Sequence, residues 1–401
     1  MKTLSRPISI VSLTAITILV VAANSWAQDK FTDVATDATW DKLFTRDEGW
    51  TGGDVAGTID LKDGRVLWVF GDTWIGKIED GKHARGSKLV NNTGAIQDYD
   101  AKNPAKHPQS LRFLVGRPDQ QHEPTAWIAA PAEQLGSTDK SWFWTSGGGI
   151  TLIRGGRPSL YVFLFRVQTR GQGDGVWDFR IVGTTMAIFD DISQPVEEWQ
   201  PRLVDIPHSY DVPATAGHDD AKWLGWGVAA LSDSTRNNEV LVYGVRRESK
   251  LRDDLVLAKV AAGDIEKFDS WRFFAAANQW SEHLADAHPI AENVPKELSV
   301  EPTPDGAEYV MVHSETILKT GIFLRRAKRP EGPWSQPQMI YRATDKGADR
   351  RFFAYAAKGH LLLSDPGEIL VTYVVNAHEF PLMVQDASIY RPRCVRVRLP
   401  R

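Results

Sequence analysis

Apolar positions in this chain come in short runs broken by turn residues, and helical spacing is scarce, a pattern that predicts β-strands almost throughout. Five pairs of runs share one hairpin design. Gly57–Leu61 and Val66–Phe70 flank the turn Lys62-Asp63-Gly64-Arg65. Gly149–Ile153 and Leu160–Phe165 flank Arg154–Pro158, and Gly227–Leu231 and Val240–Val245 flank Ser232–Asn238. Leu298–Glu301 and Tyr309–His313 flank Pro304-Asp305-Gly306, and Gly359–Leu363 and Ile369–Val374 flank Asp365-Pro366-Gly367. A third run follows each hairpin, at Gly94–Gln97, Thr185–Phe189, Leu255–Val260, Ile322–Arg326 and Cys394–Leu399. After three of these come a short link, a Trp (Trp199, Trp271, Trp334) and a fourth run, at Arg202–Ile206, Arg272–Ala275 and Gln338–Tyr341. Four antiparallel strands recurring five times predict an all-β chain folded as a five-bladed β-propeller. A two-sheet sandwich explains the strands but not the fivefold order. The last repeat lacks a fourth strand. The stretch Phe31–Leu43 is expected to supply it and so close the ring, leaving no open sheet edge.

In a propeller the first strand of each blade lines the central channel and the second returns beside it. The start of the first strand and the end of the second therefore share a face. This places Asp54, which precedes the first hairpin in Gly52-Gly53-Asp54, beside Asp72, which follows it in Phe70-Gly71-Asp72-Thr73. Glu315, at the end of the fourth hairpin, reaches the same mouth and ranks third. Two carboxylates flanking a bond are the minimal equipment for cleaving a glycoside: one protonates the leaving oxygen, the other is nucleophile or base. Each acid also has a plainer reading, as a turn residue for the two Asp and as a salt-bridge partner for Glu315. Trp74, Asn92, Trp144, Arg166, Trp226, Tyr355, Lys358, His360 and Asn376 come from several blades toward that mouth, the mixture a polar ligand site requires.

Composition narrows the class. Of 401 residues, 15 are Trp, which suits stacking on sugar faces. The net charge of −4 is spread without a basic stripe, so a nucleic-acid partner is not expected. The single cysteine, Cys394, excludes an intrachain disulfide and a Cys-based metal site. The histidines are scattered with no zinc-binding spacing, and Gly147-Gly148-Gly149 has no helix after it to make a phosphate loop. No cofactor is expected, although a structural calcium is compatible with the sequence. Lys2 and Arg6, the apolar stretch Ile8–Ala23 and Ser25-Trp26-Ala27 read as a signal peptide over residues 1–27, with an uncleaved anchor as the alternative. The expected mature protein is one domain over residues 28–401, periplasmic or secreted, monomeric and free of the membrane.

Several of these segments carry a family resemblance. The stretches "GWTGGDVAGTIDLKDGRVLWVFGDTWIG" (49–76), "FWTSGGGI" (143–150), "RPEGPWSQPQMIY" (329–341), "YAAKGHLLLSDPGEILVTYVVN" (355–376) and "IYRPRCVRVRLP" (389–400) resemble the domain of unknown function 4185 family. Members of that group are placed in glycoside hydrolase family 183 as endo-D-arabinofuranases, with five-bladed propeller glycosidases of families 43 and 32 as broader relatives. The resemblance implies a secreted glycosidase acting on a furanoside or related polysaccharide, and it carries the family's acidic pair onto Asp54 and Asp72. The sequence departs from the pattern at Asp54-Val55-Ala56-Gly57 and in a long insertion over residues 99–141. A non-catalytic carbohydrate-binding propeller, using the same acids as hydrogen-bond acceptors, is the alternative.

Overall fold

The computed structural model describes residues 34–100, 102, 110–131, 141–169, 178–212, 222–233, 238–249, 252–316, 319–346 and 349–399. The signal-peptide stretch, residues 31–33 and parts of the 99–141 insertion lie outside them. Strands dominate, and the described helices are single turns or little more. None is long and apolar enough to cross a membrane.

Among the described residues, strand pairing defines six sheets rather than the five repeats expected. Five follow the predicted design. Sheet one runs Gly57–Asp60, Arg65–Phe70, Thr93–Asp98, Arg112–Leu114, and its last strand was not anticipated. Sheet two runs Ser141–Arg154, Arg157–Thr169, Phe179–Phe189, Arg202–Ile206. Sheet three has the core Lys222–Asp233, Glu239–Ser249, Arg252–Ala261, Arg272–Ala275, widened by Tyr210–Val212 and Gln279–Ser281. Sheet four runs Leu298–Pro302, Tyr309–Ser314, Gly321–Ala327, Gln338–Arg342. Sheet five runs Phe352–His360, Glu368–Ala377, Pro392–Arg398 and then Val34–Thr36. Its first hairpin strand stops at His360, and Leu361–Leu363, expected as strand, forms a single 3₁₀ turn. The Leu361 amide there donates to the Glu301 carboxylate at 3.1 Å instead of to a strand partner.

The N-terminal segment pairs with sheet five as expected, in the register Val34↔Val397, Ala35↔Arg396, Thr36↔Val395. The short helix Ala38–Asp41 that follows is capped by Asp37, whose Oδ1 accepts from the Thr39 and Trp40 amides at 3.1 Å. Asp37 also pairs with Arg396 at 2.6 Å, and Asp41 accepts from the Cys394 amide at 2.7 Å. The turn drives Trp40 and Phe44 into a cluster with Trp68 and Phe70 of sheet one and Leu370 and Cys394 of sheet five.

The first strands of the sheets approach so closely that side chains are excluded. A β-carbon on Gly57 would lie 2.1 Å from Gly147 O, and one on Gly148 would lie 2.1 Å from Gly227 O, so sheets one, two and three meet backbone to backbone. Sheets three and four share an apolar cluster that includes Tyr243, Leu257, Leu298 and Met311. Sheets four and five join through Gly359 N to Ser299 Oγ at 2.7 Å, and sheets five and one through Thr58 Oγ1 and His360 Nδ1 at 2.9 Å. The arrangement is propeller-like, with the apolar core lying between successive sheets.

Because Trp40 is 1% exposed and packs 6.3 Å from Trp68, Trp40→Ala should cost about 3–5 kcal/mol of stability. A denaturant midpoint equal to the parent's would show that the N-terminal turn is not part of this core.

Candidate functional site

The sixth sheet explains why a buried strand ends in an acid. It pairs Glu48–Gly53 with Thr73–Glu79, which is joined in turn by Lys82–His83 and Lys88–Val90. Its last pair is Gly53↔Thr73, and the first pair of sheet one is Gly57↔Val69. Asp54 and Asp72 therefore sit where the same two chain segments pass from one ladder to the other. Between the ladders the Asp54 amide donates to Asp72 O and the Gly71 amide to Asp54 O, both at 3.3 Å. The chain after Asp54 is strained. Val55 and Ala56 take φ of 68° and 47°, a region that a β-branched residue rarely enters. Gly71 has to be glycine because a β-carbon there would lie 2.3 Å from Asp54 Oδ1.

The two carboxyls are held differently. Asp54 Oδ2 accepts from Tyr355 OH at 2.7 Å and Tyr390 OH at 3.0 Å, while Oδ1 is enclosed with no hydrogen-bond partner among the described residues. Asn376 supports this arrangement by donating to Tyr355 OH at 3.4 Å. Asp72 Oδ1 accepts from Trp144 Nε1 at 2.7 Å and Asn91 Nδ2 at 3.3 Å. Both acids are partly exposed as residues; Asp72 Oδ2 has no partner among the described residues yet, unlike Asp54 Oδ1, is not enclosed.

A third acid, Glu297, lies near this pair. Glu297, immediately before the first strand of sheet four, lies close enough to sense the charge of Asp54, and Asp72 in turn senses Glu297. One of its oxygens, Oε2, is enclosed without a partner. Glu315 instead turns back on its own loop, where Lys319 Nζ lies 3.2 Å away and the Gly321 amide donates to it at 3.3 Å. Burial pushes all three site acids above the ordinary carboxylate range. Asp72 rises to about 8, through burial first and then the charge of Asp54, against the hydrogen bond from Trp144. Asp54 rises to about 6 through burial, opposed by the two phenols. Glu297 rises to about 7 through burial and then Asp54, and Lys358 and Lys296 oppose the shift.

The remaining expected ligand residues divide into two groups. Trp144 and Tyr355 border the acids and are partly exposed. Lys358 lies beneath them, 1% exposed. Four others are buried. Asn92 is 0% exposed and spends its amide on Ile128 O, Phe143 O and the Ile128 amide. Trp226 is also 0% exposed, packed on Trp271 and Phe273. Trp74 stacks on His83 at 4.4 Å, and His360 is locked between Thr58 and Thr372. Arg166 is partly exposed and ion-paired with Asp205, lining a shallow polar cleft of about 350 Å³ with Gln168, Arg180, Val182 and Asp211. Among the described residues no group of three or more His, Cys, Asp or Glu is placed to hold a metal ion.

The raised acids make stability depend on pH with a definite sign. Asp72 binds its proton in the folded state up to about pH 8 but in the unfolded chain only below about 4. Between those limits the folded state holds more protons, so stability falls as pH rises through the window. Asp72→Asn removes this penalty. Urea titrations should show it gaining stability over the parent at pH 9 relative to pH 5, and an equal difference at both would contradict the burial described.

A search of curated protein sequences returns no match. Among solved structures, a protein of Bacteroides ovatus ATCC 8483 described as a "putative hydrolase" superimposes with a TM-score of 0.66 at 21% identity, over 91% of this chain and 90% of that one, which shows a common fold. A GH43_1 enzyme of Xanthomonas citri complexed with xylotriose gives a TM-score of 0.43 at 10% identity, over 90% and 92% of the two chains. An alpha-L-arabinofuranosidase of Clostridium thermocellum ATCC 27405 gives 0.39 at 12%, over 86% and 88%. The family model that matches is a domain of unknown function, DUF5005, over residues 37–399, rather than the 4185 family that the motifs resemble. With nearly all of its described residues inside that match, the chain belongs to the DUF5005 family.

Proposed function

We propose that this protein is a glycoside hydrolase whose reacting carboxyls are Asp72 and Glu297, with Asp54 as the buried charge behind them. The observation that carries this reading is the contrast within the first pair. Asp54 has one oxygen enclosed and the other taken by two phenols, whereas Asp72 Oδ2 is open beside the partly exposed ring of Trp144. An acid in the position of Asp72, facing two other carboxyls, keeps its proton near neutrality and can deliver it to a leaving oxygen. Glu297 has two lysines nearby that favour its anion, and it serves as base or nucleophile. Trp144 offers a flat face for a sugar ring. The five larger sheets act as five blades around the site, and residues 1–27 direct export, so the enzyme works as a secreted or periplasmic monomer. The substrate class follows from the motif resemblance: a furanoside, arabinan-like or a related polysaccharide.

The test is release of reducing ends from a panel of arabinans, galactans and fructans. On a substrate the parent cleaves, Asp72→Asn and Glu297→Gln should each lose roughly 10²–10⁴ in turnover while melting normally. Parental turnover in both variants would remove them from the chemistry. Binding of a polysaccharide with no cleavage of any in the panel would favour a carbohydrate-binding role. Asp54→Asn should behave differently. The Asp54 charge raises the Asp72 pKa, so removing it lowers that pKa and moves the alkaline limb of the pH–rate profile to lower pH. An unmoved limb would separate Asp54 from Asp72.

A further inference from the structure

Lys358 is the most deeply placed charge in the site, and the reaction above gives it no step. It stands on the first strand of sheet five, just past a bulge between Tyr355 and Lys358 where Ala356 takes φ of 54°. The bulge swings the side chain inward. Nζ donates to Leu298 O of sheet four at 3.0 Å, its one hydrogen bond among the described residues. Gly147 of sheet two closes over the ammonium, and a β-carbon on Gly147 would lie 2.5 Å from Nζ. With the residue 1% exposed, no sugar reaches it. The ionisable groups around it are Glu297 just before sheet four, Asp54 from the segment before sheet one, and His360 on its own strand, which burial and the ammonium itself keep neutral and which contacts Thr58 and Thr372. Tyr355 lies between the ammonium's strand and Asp54, and Lys296 flanks Glu297.

We propose that Lys358 is the built-in counter-ion of the site: a buried ammonium that favours the carboxylate forms of Asp54 and Glu297 without touching substrate. An ammonium taken out of water with a single carbonyl partner is costly, and the nearby carboxylates are what keep it charged. The exchange works in both directions, because the same ammonium favours the anions of Asp54 and Glu297 against burial. Lys358 is thus a positioning residue: it favours the anions of Asp54 and Glu297, while Asp72 keeps its raised pKa.

The consequence for turnover rests on the glycosidase reading, whereas the consequence for titration does not. The first measurement is carboxyl-carbon NMR titration of Asp54 and Glu297 in the parent and in Lys358→Met. Both carboxyl midpoints should move up by about one pH unit or more when the charge is removed. The second needs no variant: the nitrogen resonance of Lys358 in the parent at pH 7 should be that of an ammonium. Unmoved carboxyl midpoints, or a neutral amine at pH 7, would overturn the proposal. On a cleaved substrate, Lys358→Met should also shift the acid limb of the pH–rate profile upward, by the amount Glu297 moves. Titration shifts without turnover on any substrate would leave the counter-ion in place and remove the enzymatic reading. Turnover with no titration shift would do the reverse.

Discussion

The site depends on keeping negative charge where water cannot reach it. A carboxylate enclosed by protein loses its hydration, and only hydrogen-bond donors or an opposite charge replace it. Asp54 receives two phenol hydrogens and lies near an ammonium, and even so its second oxygen is left without a partner. That residual cost falls on its neighbours. Asp72 cannot readily ionise beside a charge already in place, so it holds its proton. Burial raises the Asp72 pKa first, and the enclosed charge of Asp54 raises it further.

Backbone geometry puts these groups together. The first strands of sheets two, three and five each carry a register break near the same level, between Thr145 and Gly149, Trp226 and Ala229, and Tyr355 and Lys358. Each break has a residue at positive φ: Gly147, Gly227 and Ala356. Ahead of sheet one, Val55 and Ala56 do the same work without glycine. A bulge turns the side chains past it toward a different direction from the strand's alternation. This is how Lys358 points into the site while Tyr355, three positions earlier, also reaches it. The strain at Val55 is retained because the two ladders on either side fix both ends of the segment.

Much of this was legible from the pattern of residues. Strand runs and turn residues are local signals, and Arg202–Ile206 and Arg272–Ala275 lie where the pattern places them. The meeting of Asp54 and Asp72 follows from hairpin topology, which needs no distances. The sixth sheet was not legible, because Thr73–Glu79 continues the apolar run of sheet one with only Gly71-Asp72 to mark the change of partner. The choice between Glu297 and Glu315 was not legible either. Both lie at the mouth end of the fourth hairpin, one before its first strand and one after its second. What separates them is Lys319, four residues beyond Glu315, which pairs with that acid locally. The burial of Asn92 and Trp226 was not legible for a related reason: only tertiary packing decides which polar or aromatic group is covered.

Trp144 shows how one side chain joins these levels. Trp144 lies near the mouth end of its strand, ahead of the bulge at Gly147, so the residue stays partly exposed while its indole N–H donates to Asp72. That hydrogen bond favours the Asp72 anion and works against the charge of Asp54, which favours the acid. A sugar stacked on the ring would exclude water from Asp72 and strengthen both influences at once, since each grows as the local dielectric falls. The balance between them is set by distance. The indole bond is a single contact at 2.7 Å, whereas the charge of Asp54 acts with that of Glu297 behind it. Covering the ring would therefore favour retention of the Asp72 proton.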